Sequence, residues 1–302
     1  MSALPTHVTI REVALRDGLQ IEAPIPLAAK IELLEAIVAT GVREVEATAF
    51  VSPSKVPALA DAPELAAALA DFPDTIEFSA LVASPNGAKR AIAAGLGTIE
   101  YVVSAADAHS RANVGRSTAE AGAQIAEIVA IAHDSGVGVE VIIATAWDCP
   151  FDGPTPPQRV LDVVAAAVAA GVDRLAIADT IGTATPRRVR SLIDQVRPLI
   201  GDLALGAHFH NTRGAGLASA YAAVSAGVTR LDASVGGLGG CPFAPGASGN
   251  IATEDLVYLL RDSDIHTDVD LAAAINAAAV AQRLVGHELP SALLRAGDRL
   301  PG

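Results

Sequence analysis

Apolar positions along the 302-residue chain follow two alternating rhythms. Short aliphatic runs such as Val8-Thr-Ile-Arg-Glu-Val-Ala-Leu15 read as strands, and longer Ala-rich stretches with apolar residues every three to four positions read as helices. A weak internal repeat marks where one passes into the other. Gly41-Val-Arg-Glu-Val-Glu46, Gly95-Leu-Gly-Thr-Ile-Glu100, Gly136-Val-Gly-Val-Glu140, Gly171-Val-Asp-Arg-Leu175 and Gly227-Val-Thr-Arg-Leu231 each place a glycine, then an aliphatic residue, at the head of a strand. The glycine reads as a helix C-cap that turns the chain tightly into a buried strand. Thr75-Ile-Glu-Phe-Ser-Ala-Leu-Val82 and Leu203-Ala-Leu-Gly-Ala207 fill the two long gaps with further strands.

The pattern predicts about eight strands, counting the opening one, alternating with helices over 27–39, 57–70, 86–94, 118–135, 156–170, 186–199, 213–226 and 253–262. That is the count of a (β/α)8 TIM barrel. Val269 to Leu284 predicts an extra C-terminal helix. No low-complexity linker interrupts the chain, so residues 1–302 read as a single domain. A doubly wound open sheet has the same alternation and is the competing architecture.

Composition sharpens this picture. The chain is 51% hydrophobic but only 3% aromatic, so its core is built from Ala, Val, Leu and Ile, as suits parallel strands buried under helices. The net charge of −13 argues against nucleic acid, which wants a basic surface. Two cysteines, Cys149 and Cys241, are too few for a disulfide framework and fit a reducing compartment. No signal peptide precedes the first strand, and no apolar run is long enough for a membrane span. The expectation is a cytoplasmic protein.

In a barrel, chemistry gathers at the C-terminal ends of the strands. That rule selects Arg16, Asp17 and Gln20 after strand one, Glu46 and Thr48 on strand two, and Asp179-Thr180 after strand six. It also selects His208, His210 and Asn211 at strand seven, and the glycine-rich segment from Gly236 to Asn250 after strand eight. His208 and His210, two apart at a strand end, share a face and can present two imidazoles side by side. With Asp17 they make a two-histidine, one-carboxylate set with open positions, suited to a divalent Lewis acid, and Asn250 can add a carbonyl oxygen. On a strand, neighbouring Arg16 and Asp17 would point to opposite faces, which disfavours an ion pair between them.

Arg16 offers a fixed guanidinium for an enolate or carboxylate oxygen. Glu46 and Asp179 read equally as groups that orient Arg16 or a metal's water and as a polar layer closing the barrel mouth. Cys241, in the glycine-rich loop before Pro242, is either a proton-transfer group or a small buried residue. Cys149 reads as structural, Asp107 to Asn113 as a polar loop, and His7, His133, His266 and His287 as off the rim.

Arg16-Asp-Gly-Leu-Gln20, Ala49-Phe-Val-Ser-Pro53, Asp179-Thr-Ile-Gly182, the His208/His210 pair, Gly237-Leu-Gly-Gly-Cys-Pro242 and Gly246-Ala-Ser-Gly-Asn-Ile-Ala-Thr-Glu-Asp-Leu-Val-Tyr258 together resemble the 3-hydroxy-3-methylglutaryl-CoA lyase family. That family sits among metal-dependent barrel lyases and Claisen-type synthases, and the likeness covers nearly the whole chain. The resemblance implies Asp17, His208, His210 and Asn250 as ligands of Mg²⁺ or Mn²⁺, and Arg16 as the group that stabilises the enolate of departing acetyl-CoA. It implies Cys241 as the cysteine of the glycine-rich loop over the site, and Glu46 and Asp179 as acidic residues of the same site. Gln20, Ser52 and Lys55 are implied beside the CoA-linked substrate. The chain departs from the pattern at Ile21, at Asn211-Thr-Arg213 and across Asp107 to Arg116.

The implied reaction cleaves a 3-hydroxy-3-methylglutaryl-CoA-like thioester to acetyl-CoA and acetoacetate, with Asp17, a histidine or hydroxide as candidate bases and Cys241 as a candidate proton donor. The alternatives are a sister lyase for isohexenylglutaryl-CoA or citramalyl-CoA, a Claisen-type synthase, and a non-catalytic barrel that binds acyl-CoA. Ala-rich outer faces and the extra helix point to a homodimer.

Overall fold

A computed structural model describes residues 4–240 and 249–299. Eight parallel strands close on themselves: β1 (Thr9–Glu12), β2 (Glu44–Phe50), β3 (Glu77–Val82), β4 (Thr98–Ser104), β5 (Gly138–Ala144), β6 (Arg174–Asp179), β7 (Ala204–Phe209) and β8 (Arg230–Ala233). Each strand pairs with its neighbours in sequence, and β1 pairs with β8, so the sheet is a (β/α)8 barrel and the open doubly wound arrangement is excluded. The order follows from the alternation itself. A parallel strand needs a crossover connection, and a helix packed on the outer face supplies it each time.

The helices are α1 (Leu27–Val38), α2 (Ala62–Ala68), α3 (Pro85–Ala93), α4 (Asp107–Val114), α5 (Thr118–Gly122), α6 (Ile125–His133), α7 (Pro157–Ala170), α8 (Pro186–Ile200), α9 (Gly216–Ser225), α10 (Thr253–Arg261), α11 (Leu271–Val285) and α12 (Ala292–Ala296). The extra C-terminal helix is present as α11, packed against α1 and α10 beside the β1–β8 seam. A two-stranded antiparallel hairpin, Asp148–Cys149 with Gly153–Pro154, stands on the connection after β5.

Three local expectations change. The segment expected as a polar loop forms α4, because Gly115 ends it with a left-handed cap at φ +73°. The helix expected over 118–135 is two short ones, α5 and α6. The first strand stops at Glu12, and Ala14–Gly18 winds into a single wide helical turn.

The five glycines of the repeat all take left-handed backbone, with φ between +71° and +89°. A side chain there costs about 1–2 kcal/mol from the conformation alone. At Gly171 an added Cβ would meet nothing, whereas at Gly41 it would lie 2.6 Å from the Asp268 carbonyl oxygen. Gly171→Ala should therefore lose about 1 kcal/mol in urea unfolding. Gly41→Ala should lose distinctly more, and equal losses would contradict the contact.

Candidate metal centre at the barrel mouth

His208 is the penultimate residue of β7, and His210 follows the strand. The segment after the glycine-rich loop returns antiparallel along this end: Ile251 N–H donates to the Phe209 carbonyl (3.1 Å) and Asn211 N–H to the Gly249 carbonyl (3.0 Å). That pairing seats Asn250 opposite His210. Asp17 arrives from the other side of the seam on the turn after β1. One ligand atom each from Asp17, His208 and His210 fall within 4.8 Å of one another.

The imidazoles face each other with Nε2 atoms 3.2 Å apart, and Asp17 Oδ2 lies 4.0 Å from His208 Nε2 and 3.6 Å from His210 Nε2. Each ring is held from behind. His208 Nδ1 lies 3.0 Å from Asp232 Oδ2, and His210 Nδ1 lies 2.7 Å from the Thr180 carbonyl. Both acceptors favour the proton on Nδ1, which leaves a lone pair on each Nε2. Two lone pairs at that separation repel unless a cation or a proton lies between them.

Other observations fit a cation. Asn250 Nδ2 donates to Asp17 Oδ2 (2.9 Å) and to the Leu238 carbonyl (3.1 Å), while Asn250 Oδ1 is buried with no hydrogen-bond partner. Three arginines (Arg11, Arg16 and Arg230) stand among six carboxylates (Asp17, Glu44, Glu46, Glu100, Glu140 and Asp232), all linked through ion pairs or direct contacts within the barrel. Burial, together with the neighbouring Glu100 charge, holds the Glu46 carboxyl well above the usual range despite Arg16.

Arg16 and Asp17 are ion-paired, Nη1 to Oδ1 at 2.6 Å, contrary to the expectation from strand geometry. They lie on the Ala14–Gly18 turn, where alternation no longer applies. Burial alone would raise the Asp17 carboxyl, but the Arg16 guanidinium and the His210 contact hold it well below the ordinary range. Burial likewise disfavours a charged His210, yet Asp17 outweighs it and raises its pKa. Arg16 Nε lies 2.6 Å from Glu46 Oε1, off the line of an N–H bond, and Nη2 makes no hydrogen bond among the described residues.

Glu46 faces the interior next to Arg16, but Thr48 does not follow it. A register shift between them pairs Glu46 with Ser79 and Thr48 with Ala80, so residues two apart take opposite faces. Asp179 stands at the end of β6, and its oxygens accept the N–H groups of Thr183 (2.9 Å) and Ala184 (2.8 Å). It therefore shapes the turn that carries the Thr180 carbonyl. Gln20 lies on a short 3₁₀ turn, and Ser52 and Lys55 are exposed on the turn after β2. No contact of these three with the cluster is found among the described residues. Cys241 lies outside the described residues.

Asp232 was missed by the sequence reading, which ended strand eight at Leu231. The available signal was an acidic residue two past Arg230 in an otherwise apolar strand, hence on the same interior face. Glu12 was missed as well: it accepts Ala14 N–H (2.9 Å), Val235 N–H (3.0 Å) and Thr253 Oγ1–H (2.6 Å), fastening the segments on either side of the glycine-rich loop. Burial lifts its carboxyl to about 8 against those three donors.

Residues 7–281 match the HMGL-like family model. The chain belongs to the HMGL-like family. It is similar to an (R)-citramalyl-CoA lyase of Chloroflexus aurantiacus, at 38% identity over 97% of this chain and 96% of that one. A hydroxymethylglutaryl-CoA lyase of Bacillus subtilis is 36% identical over 95% of this chain and 96% of its own. Among solved structures, an HMG-CoA lyase from Acinetobacter baumannii in complex with coenzyme A and 3-methylmalate superposes with a TM-score of 0.94 at 38% identity, covering 100% of this chain and 99% of that one. Membership of this family makes the chain a lyase.

If the facing imidazoles and Asp17 hold a cation, Mn²⁺ added to chelator-treated protein should raise its thermal midpoint, since a ligand that binds only the folded state stabilises it. His210→Ala should abolish that rise. A rise of equal size in the variant would place the ion elsewhere.

Proposed function

We propose that this protein is a divalent-metal-dependent carbon–carbon lyase that cleaves 3-hydroxy-3-methylglutaryl-CoA to acetyl-CoA and acetoacetate. The observation that carries this reading is the placement of Arg16 directly beside the Asp17–His208–His210 cluster at the barrel mouth. Full-length similarity to hydroxymethylglutaryl-CoA lyases supports it.

Asp17, His208, His210 and Asn250 would hold Mg²⁺ or Mn²⁺. A divalent ion there supplies Lewis acidity toward the tertiary hydroxyl of the substrate. The hydroxyl proton passes to a base at the cluster, and the C2–C3 bond breaks. Its electron pair moves into the thioester, giving a ketone and the enolate of acetyl-CoA. Arg16, positioned by Asp17 and Glu46, turns its guanidinium toward the enolate oxygen with Nη2 available. The burial that raises the Glu46 carboxyl favours its neutral form, which compensates that positive charge less than the ionised form would. A proton then returns to the enolate carbon, for which Cys241 is the candidate donor. Asp179 acts through the turn that fixes His210, and Gln20, Ser52 and Lys55 are assigned to the CoA-bearing side of the mouth.

The same reading takes residues 1–302 as one catalytic domain in a cytoplasmic homodimer. Among the described residues no helix is long and apolar enough to cross a membrane. An apolar groove lined by Leu217, Tyr221, Tyr258 and Leu293 supports a second copy as partner. Citramalyl-CoA is the second substrate reading, favoured by the 38% identity to the Chloroflexus aurantiacus enzyme.

A panel of 3-hydroxy-3-methylglutaryl-CoA, citramalyl-CoA and isohexenylglutaryl-CoA, with products identified by mass, tests the assignment. Acetoacetate from the first and no turnover of the others is the expected result. Pyruvate from citramalyl-CoA alone would transfer the assignment to the sister reaction. Arg16→Gln should reduce kcat roughly 10²- to 10³-fold while Mn²⁺ still binds. A near-unchanged rate would remove Arg16 from the chemistry.

A further inference from the structure

The inside of this barrel is charged where barrels of this kind usually carry branched aliphatic layers. Among the described residues, only Val102, Ile142, Ala176 and Ala178 form a small separate apolar cluster there. Below the mouth, the space is filled by Arg11, which is fully buried. Four of its five N–H groups make hydrogen bonds. Nε and Nη2 donate to the two oxygens of Asp232 at 2.9 and 2.8 Å, and Nη1 donates to Glu100 (2.6 Å) and Glu140.

The Asp232 oxygen that takes Arg11 Nη2 is also the one that faces His208 Nδ1 at 3.0 Å. Arg11, Asp232 and His208 are direct register neighbours across β1, β8 and β7 and point into one layer. A carboxylate held by a planar fork at both oxygens cannot rotate, so the imidazole bonded to it is held in plane too. Glu100 and Glu140 hold the fork from the opposite side through Nη1. Neutralising buried carboxylates would need only a positive charge; this geometry also fixes the direction of the His208 lone pair.

We propose that Arg11 is a positioning residue for the metal centre, setting the orientation of His208 through a two-point grip on Asp232. The inference rests on the reading of Asp17, His208 and His210 as metal ligands. Calorimetric titration of Mn²⁺ into chelator-treated full-length protein tests both statements. Wild type should bind, and Asp17→Ala should not. Arg11→Lys keeps the charge but loses the fork, and its Kd should rise roughly 10- to 100-fold, the usual effect of losing a group that orients a ligand. The triple variant Arg11→Met/Glu100→Gln/Glu140→Gln removes Arg11 together with the two carboxylates that Nη1 meets. It should unfold cooperatively on heating and still bind Mn²⁺ as weakly as Arg11→Lys, because Asp232 remains ungripped. The visible spectrum of bound Co²⁺ should also change in both variants. Wild-type affinity in either variant would overturn the role of Arg11 while leaving the metal site in place. Failure of wild type to bind any ion would instead remove the site itself, and Arg11's role with it.

Discussion

Two imidazole nitrogens held 3.2 Å apart are the constraint on which this structure turns. Neither ring can relieve the close approach by rotating, because Asp232 and the Thr180 carbonyl pin the far nitrogens. Two neutral rings with their protons on those far nitrogens would repel each other. Here the strand end, the returning Asn250 segment and the turn after β6 hold them together, so the geometry is built to receive positive charge.

That local demand spreads through the barrel. Asp232 must stay ionised and still, which Arg11 secures, and Arg11 in turn brings Glu100 and Glu140 inside. Glu140 also meets Arg230, whose other partner Glu44 lies near Arg174 and Glu77 at the foot of the barrel. Replacing such a network by aliphatic residues would often improve stability. Its retention is consistent with a site whose ligands must be aimed, at some expense in folding energy.

Arg16 shows how position decides chemistry in a crowded charge field. It stands between Asp17 on one side and Glu46, whose carboxyl is held above the usual range, on the other. A guanidinium fully neutralised by two ionised carboxylates would have little left for a developing enolate. Burial beside Glu100 raises the Glu46 carboxyl and so favours its neutral form, which leaves Arg16 a more effective electrostatic partner for substrate.

Much of this was legible in the chain. The glycine repeat, the aliphatic strands and the Ala-rich helices are local signals. They located eight strands, ten of the twelve described helices, with α5 and α6 read as one, and the mouth where Asp17, His208, His210, Asn250 and Arg16 meet. The misses at the barrel mouth share one cause. Whether Ala14–Gly18 continues as strand or coils, whether β2 shifts register at Ala47, and which acid stands behind His208 depend on how β1, β2 and β8 meet when the sheet closes. Period and composition act within a few residues along the chain, so the sequence alone determined the elements and the rim. Closure brought residues more than 200 positions apart, such as Arg11 and Asp232, into a layer of fixed register, and only that decided which charges face each other.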